Sequence, residues 1–244
     1  MTPAEADIVR LGDVGSTNDE AMSRLREGAT SPFWVTAERQ LSGRGRRGRT
    51  WVSEPGNLYA TYAFRPDWPV EVLGLIPLAA AVALAEALPE RVAARLKWPN
   101  DVLVAGRKCA GILIETEMSA GSPERRVVIG YGVNIAHHPS DAPATHLRIH
   151  DHTIEADTVL GALCRTLPDN LAVLAGPSGI KIVRERWMAR AVGIGAPVIV
   201  RYESESVEGR FLGLDPLGRL ILGQDGGATR LIAAGDVFVR TERL

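Results

Sequence analysis

Gly43-Arg44-Gly45-Arg46-Arg47-Gly48-Arg49-Thr50-Trp51 sets four arginines among three glycines. The glycines let the backbone approach a ligand closely, and the arginines suit an anion. Gly43, Gly45 and Gly48 formally satisfy G-x-G-x-x-G, but a dinucleotide-binding unit needs a helix to open directly after that string. Here the chain continues as TWVSEPGN over 50–57, with no helix start. No G-x-x-x-x-G-K-S/T string occurs either, so a nucleotide would be held by something other than a P-loop. On either side, 33–37 (FWVTA) and 57–64 (NLYATYAF) read as strands, which makes the Gly-Arg stretch a loop inside a folded pattern. Four like charges within residues 44–49 repel one another, at a cost that solvent screening keeps small. A solvated loop kept soluble by its arginines is the plain alternative to an anion-binding loop. Arginine-glycine strings also occur in disordered RNA-binding tails.

Further out, Ser16 and Thr17 precede NDEAMSRLREG, whose Ala21, Leu25 and Gly28 suit a capped helix with a glycine stop. An Ala-rich helix is expected over 71–88. Strands at 94–98, 102–105, 109–114 and 127–135, joined by turns at Pro99-Asn100-Asp101 and Gly106-Arg107-Lys108, form a four-stranded meander. A polar loop rich in His and Pro fills 136–153, and 155–175 and 179–191 have the apolar spacing of two helices. From Ala196 the pattern changes to short alternating strands (PVIVRY, VEGRFLGL, GRLILG, ATRLIA, DVFVRT). They suggest a small barrel of about 50 residues, within the range of a minimal β module.

Hydrophobic residues make up 45% and charged residues 23%, as in an ordinary folded enzyme or binding module. A net charge of -1 and a pI near 6.5 argue against a general nucleic-acid-coating surface, so any basic function is local. Cys109 and Cys164 lie far apart and outside any C-x-x-C pattern, which fits a reducing cytoplasm. The N-terminal MTPAEADIVRLGD carries acids where an export signal needs a basic region followed by an apolar one. Leu73 to Leu88, the most apolar segment, is shorter than the ~20 residues of a membrane span and contains Pro77 and Glu86, so a buried core helix is expected. His137, His138, His146, His150 and His152 share one loop, with spacing too irregular for a metal motif. Glu115 and Glu117 alternate along a strand and suit either the flank of a site or solvent-facing positions; no general-base role is attached to them.

Lys97-Trp98-Pro99-Asn100-Asp101 places one lysine at the end of an apolar strand, beside a turn that Pro, Asn and Asp favour. Alone it equally suits a lysine that snorkels past Trp98 to solvent. Taken with Gln40 and GRGRRGR-x-W at 43–51, however, KWPND at 97–101 closely resembles the biotin protein ligase signature. GSTN at 15–18, GRKCAGILIE at 106–115 and GVNI at 132–135 follow in that family's order and approximate spacing, so the resemblance covers nearly the whole chain. It implies an α/β (α+β) fold with a mixed sheet flanked by helices, similar to class II aminoacyl-tRNA synthetases, over residues 1–192. An SH3-like barrel over 193–244 would follow. The implied activity uses biotin and MgATP to make biotinyl-5'-AMP and pyrophosphate, then transfers biotin to a specific lysine of a biotin carboxyl carrier domain.

That chemistry brings a carboxylate to the α-phosphate of ATP although both are negative, so fixed cations must offset the repulsion. By resemblance the catalytic positions are Lys97, Arg44 and Arg46, with Lys97 a compact point charge bridging carboxylate and phosphate. Ser16, Thr17, Asn18 and Gln40 match positions at the ureido end of biotin, where neutral donors and acceptors suit an uncharged polar ring. Gly43, Gly45 and Gly111 join the implied biotin contacts. Ser16 or Thr17 equally suits a plain helix N-cap. Arg47, Arg49, Trp51, Asn100, Lys108 and Asn134 match nucleotide-contacting positions; Trp51 equally suits an apolar anchor for the loop, and Asn100 and Asp101 a simple turn. Mg²⁺ is expected with ATP, without a metal motif of the chain's own. GSTN at residue 15 leaves no room for the DNA-binding domain of some family members. The expectation is a ligase with no nucleic-acid or membrane partner, monomeric or homodimeric. A lipoate or octanoate ligase or transferase is the related alternative, and a non-catalytic ligand- or RNA-binding module the alternative of another class. Amide exchange over residues 42–51 should slow on adding biotin and ATP, since glycines and like charges need an anion to order them; unchanged exchange with both ligands present counts against this.

Overall fold

The computed structural model describes residues 7–118, 124–202 and 205–239. Its larger half is a seven-stranded sheet built from β1 (Asp7–Val14), β2 (Phe33–Gln40), β3 (Leu58–Phe64), β4 (Arg95–Lys97), β5 (Asp101–Val104), β6 (Arg107–Met118) and β7 (Arg125–Val133), in the order β1-β2-β3-β7-β6-β5-β4. Only β1 and β2 pair in parallel, joined through α1 (Thr17–Arg26); every other pairing is antiparallel, so the sheet is mixed and contains the meander read from the sequence. β1 was not legible as a strand. It lies at the sheet edge, and most of its residues stay exposed or half-buried, which erases the apolar alternation.

Helices cover both faces of this sheet. On one, α1 buries Ala21, Met22 and Leu25 against Phe33, Val35, Ala63 and Val128. On the other lie α3 (Ile76–Ala87), α5 (Ala156–Ala175) and α6 (Gly179–Arg190). Ala79 to Ala83 of α3 are all buried, as expected of a helix apolar all round. The single helix expected over 71–88 is two: α2 (Val70–Leu73) ends at Gly74, and α3 restarts with Pro77 in its first turn. Proline lacks the N–H to continue the first helix but suits the start of a new one. The expected loop 136–153 also contains a short helix, α4 (Leu147–His150), pinned by fully buried Leu147.

The smaller half is a five-stranded antiparallel sheet of β8 (Pro197–Arg201), β9 (Ser206–Leu214), β10 (Leu220–Gly223), β11 (Thr229–Ile232) and β12 (Asp236–Val239), ordered β11-β10-β9-β8-β12. These follow the five strands read from the sequence; the end of the last, residues 240–241, falls outside the described residues. Val198, Val200, Phe211, Leu220, Leu222 and Ile232 fill its interior. It is fastened to the larger half by Trp98, whose Nε1 donates to the Gly218 carbonyl at 3.1 Å.

Asn57 locks the chain leaving β7. Its buried Oδ1 accepts from the backbone N–H groups of Ile135, Ala136 and His137 at 2.8, 2.9 and 3.1 Å, and its Nδ2 donates to the His137 carbonyl. Asn57→Ala should cost about 2 kcal/mol of unfolding free energy, because one buried and two part-buried amides lose their acceptor. Urea denaturation should show a lower midpoint at unchanged slope.

Candidate active site

The α1 side of the sheet carries a floor without side chains. Alternation puts Val128, Gly130 and Gly132 of β7 on that side, and register aligns Gly130 with Thr61 and Leu113, and Gly132 with Tyr59 and Gly111. The Gly132 row continues through Asp101 of β5 to Lys97 of β4. A Cβ at Gly132 would stand 2.5 Å from the Trp51 indole, and one at Gly130 only 2.2 Å from Asn18 Oδ1. The bare floor therefore admits both side chains, and a cavity of about 250 Å³ opens between α1, the Gly-Arg loop and the β4–β5 turn.

At the α1 end the cavity wall is a network of neutral polar side chains backed by one carboxylate, Glu115. Gln40 Oε1 accepts from Thr17 N at 2.9 Å and Thr17 Oγ1 at 3.0 Å, while Gln40 Nε2 reaches Ser53 Oγ at 3.1 Å. Buried Thr61 Oγ1 stands 2.9 Å from Thr17 Oγ1 and 2.7 Å from Asn18 Oδ1. Asn18 Nδ2 donates to Glu115 Oε2 at 2.7 Å. Glu115 therefore flanks the site, whereas Glu117 pairs with Arg26 and Arg126 outside it. Ser16 holds the N-cap position of α1 without a side-chain cap hydrogen bond, so capping does not occupy its hydroxyl.

The other end is cationic. Arg44 makes a two-pronged bond to Asp19, at 2.8 and 2.6 Å, and stands 3.7 Å from Glu115. The hydrogen bond from Arg44 holds the Asp19 carboxyl below the ordinary carboxylate range. Arg49 and, at 3.8 Å, Arg47 share Asp236 of the barrel. Arg46 differs: among the described residues it forms no ion pair, and its Nη1 reaches only neutral oxygens, Asn100 Oδ1 at 3.2 Å and the Gly235 carbonyl at 3.5 Å. Burial pulls its pKa down from the usual guanidinium value, as expected of a cation short of water and counter-charge.

Lys97 does not snorkel past Trp98, which is buried. Its Nζ lies in the cavity, 4.0 Å from Asp101 and 5.1 Å from the ring centre of Phe238 in β12. Lys108 Nζ pairs with the other Asp101 oxygen at 2.6 Å and lies 5.4 Å from the Trp51 ring centre. A bulge brings it there. Val102 pairs with Ala110 and Leu103 with Lys108, leaving Cys109 as the extra residue, and the altered phase turns Lys108 onto the floor side.

The cavity thus gathers Ser16, Thr17, Asn18, Gln40, Arg44, Gly45, Arg46, Arg49, Trp51, Lys97, Asn100, Lys108, Gly111 and Asn134 from the sequence-derived set. Gly43 and Arg47 are the exceptions. Gly43 is buried against Ser53 and the Trp51 carbonyl, and Arg47 points to Asp236. Asp236 and the Gly130–Gly132 floor are additions, with Thr61 behind them bonded to Thr17 and Asn18; only the alternating glycines of IGYGV, 129–133, carried a local signal.

A mixed α/β sheet with a small β cap encloses a cavity in which neutral polar side chains meet a cluster of cations, a lining of the class suited to a small acid held against a phosphate. Residues 14–134 match the model of the Biotin/lipoate A/B protein ligase family, and residues 193–240 that of the Biotin protein ligase C terminal domain. The chain is 37% identical over 240 residues to a biotin–(acetyl-CoA-carboxylase) ligase of Paracoccus denitrificans, covering 93% of this chain and 98% of that protein. It is 30% identical over 238 residues to the bifunctional ligase/repressor BirA of Bacillus subtilis, covering 91% and 70%. The fold matches the biotin protein ligase from Aquifex aeolicus, solved in complex with biotin and ATP, at a TM-score of 0.79 and 27% identity over 96% of this chain and 98% of that one. The chain belongs to the biotin protein ligase family.

Pro139, Ala142 and Ala144, from the loop after β7, form one cavity wall. In that loop His138 Nδ1 and His146 Nδ1 lie 2.8 Å apart, so at least one of the two must be unprotonated. Burial, then the neighbouring His138, His137, His150 and Arg148, hold His146 below its ordinary 6.5. The unfolded chain therefore binds this proton more readily. The contribution to stability is complete above about pH 6.5 and is lost as pH falls from there through the folded value. Amide exchange over 136–146, corrected for intrinsic pH dependence, should show faster opening at about pH 5.5 than at about pH 7.5. His146→Asn should abolish the difference.

Proposed function

We propose that the chain activates biotin with ATP and transfers it to a lysine of a carboxylase's biotin carboxyl carrier domain. The observation that carries this is Arg46: a half-buried cation that forms no ion pair among the described residues, facing a cavity whose opposite end carries the neutral polar side chains of Thr17, Asn18 and Gln40. Thr17, Asn18 and Gln40 suit the uncharged ureido ring, and the bare floor with Trp51 suits flat apolar groups. In the first step a biotin carboxylate oxygen attacks the α-phosphorus, the bond to the bridging oxygen breaks, and pyrophosphate leaves. Arg44, Arg46 and Lys97 offset the repulsion between the two anions and stabilise charge that grows in the transition state. In the second step the acceptor amine attacks the acyl carbon, loses a proton and displaces AMP.

Magnesium enters this proposal with ATP. The ion would be held mainly by phosphates and water, with Asn100 and Asp101 of the cavity lining as its candidate protein contacts. Residues 1–192 form the catalytic domain and 193–244 the barrel in this reading, at work in the cytoplasm. No helix among the described residues is long and apolar enough to cross a membrane.

ATP–pyrophosphate exchange with biotin, lipoate and octanoate tests the proposal. Exchange with biotin alone is expected, reduced by about 10³-fold in Lys97→Ala, in line with the loss of one preorganised charge at the transition state. Exchange with lipoate or octanoate instead would assign the sister activity.

A further inference from the structure

Strand β12 of the barrel reaches back into the cavity. Asp236 bonds Arg49 and lies 3.8 Å from Arg47, and the preceding Gly235 carbonyl stands 3.5 Å from Arg46. Phe238, two residues on and so on the same face of the strand, sits beneath Lys97. One short strand of the second sheet thus meets both the Gly-Arg loop and the lysine of the first.

The loop needs such a hold. Four guanidinium groups crowd into residues 44–49, and Arg47 adopts a left-handed φ of 57°, a conformation a residue with a Cβ takes at a cost. Its internal backbone bonds are few: Gly45 N–H to the Arg49 carbonyl, Arg49 to Arg46 and Trp51 to Gly43. Asp236 is well shielded, its side chain 21% exposed. Burial alone would raise its carboxyl, but the Arg49 hydrogen bond and the charges of Arg49, Arg47 and Arg46 hold it below the ordinary range. The barrel is fastened separately by Trp98 and Gly218, so changing Asp236 leaves that attachment intact.

We propose that Asp236 is a positioning residue of the ligase, clamping the Gly-Arg loop over the cavity from the barrel side and so setting how long the reactive adenylate stays enclosed. This rests on the biotin-activating reading above. A mixed anhydride must be kept from water until the amine arrives, and a loop that opens too often lets it escape.

The test uses full-length Asp236→Asn and Asp236→Glu, with Asp225→Asn elsewhere in the barrel as control. Two quantities are read: release of preformed biotinyl-5'-AMP by rapid filtration, and amide exchange over 43–51 without ligand. Asp236→Asn should release the adenylate roughly fivefold faster, the size expected for a partly exposed charge network, and should speed exchange at Gly45 and Trp51. Asp236→Glu should return both towards the parent. Unchanged release and exchange overturn the clamp. Slower release in Asp236→Asn overturns it too, since the carboxylate would then be competing with phosphate for the arginines. An equal rise in Asp225→Asn also overturns it, as general loosening of the barrel. If the parent protein shows no biotin-dependent pyrophosphate exchange, the biotin reading fails instead, and loop exchange alone decides the clamp.

Discussion

The site depends on a strip of sheet that carries no side chains. Gly130 and Gly132 leave the α1 side of β7 bare, and the Trp51 indole and the Asn18 amide lie where their Cβ atoms would be. Trp51 seats the far end of the Gly-Arg loop, and Asn18 seats the start of α1. The cavity is the space between these two contacts. A methyl group at either glycine would have to push one of them away, and close-packed interiors yield little to such insertions.

Charge is managed by the protein's own carboxylates. The sequence presents four arginines in six residues as a cluster that calls for an external anion, yet Asp19 answers Arg44 and Asp236 answers Arg49 and Arg47. Asp101 does the same for Lys108. Arg46 is left facing neutral oxygens. Cations held this way are already oriented when a phosphate arrives, so little reorganisation is required as charge moves during reaction. The pairing also couples the two sheets, because one carboxylate belongs to the smaller sheet and its arginines to a loop of the larger half.

The meander, the two long helices after it and the five short barrel strands were legible because each depends on local periodicity and turn chemistry. The edge strand β1 was not, since exposure on both faces removes the pattern. The restart at Pro77 and the bulge at Cys109 were missed for another reason. Both are one-residue changes of phase inside segments whose overall apolar character is unchanged.

Residue chemistry in the sequence sufficed for the cationic loop, the KWPND turn and the neutral set at Ser16, Thr17, Asn18 and Gln40, because composition and spacing name the chemistry a segment can offer. Only the tertiary structure decided which of these residues meet, which arginine faces neutral oxygens, and that a barrel aspartate 187 residues from Arg49 closes the loop. The physical reason is that ion pairing and close approach act through space, between groups whose separation along the chain carries no periodic signal.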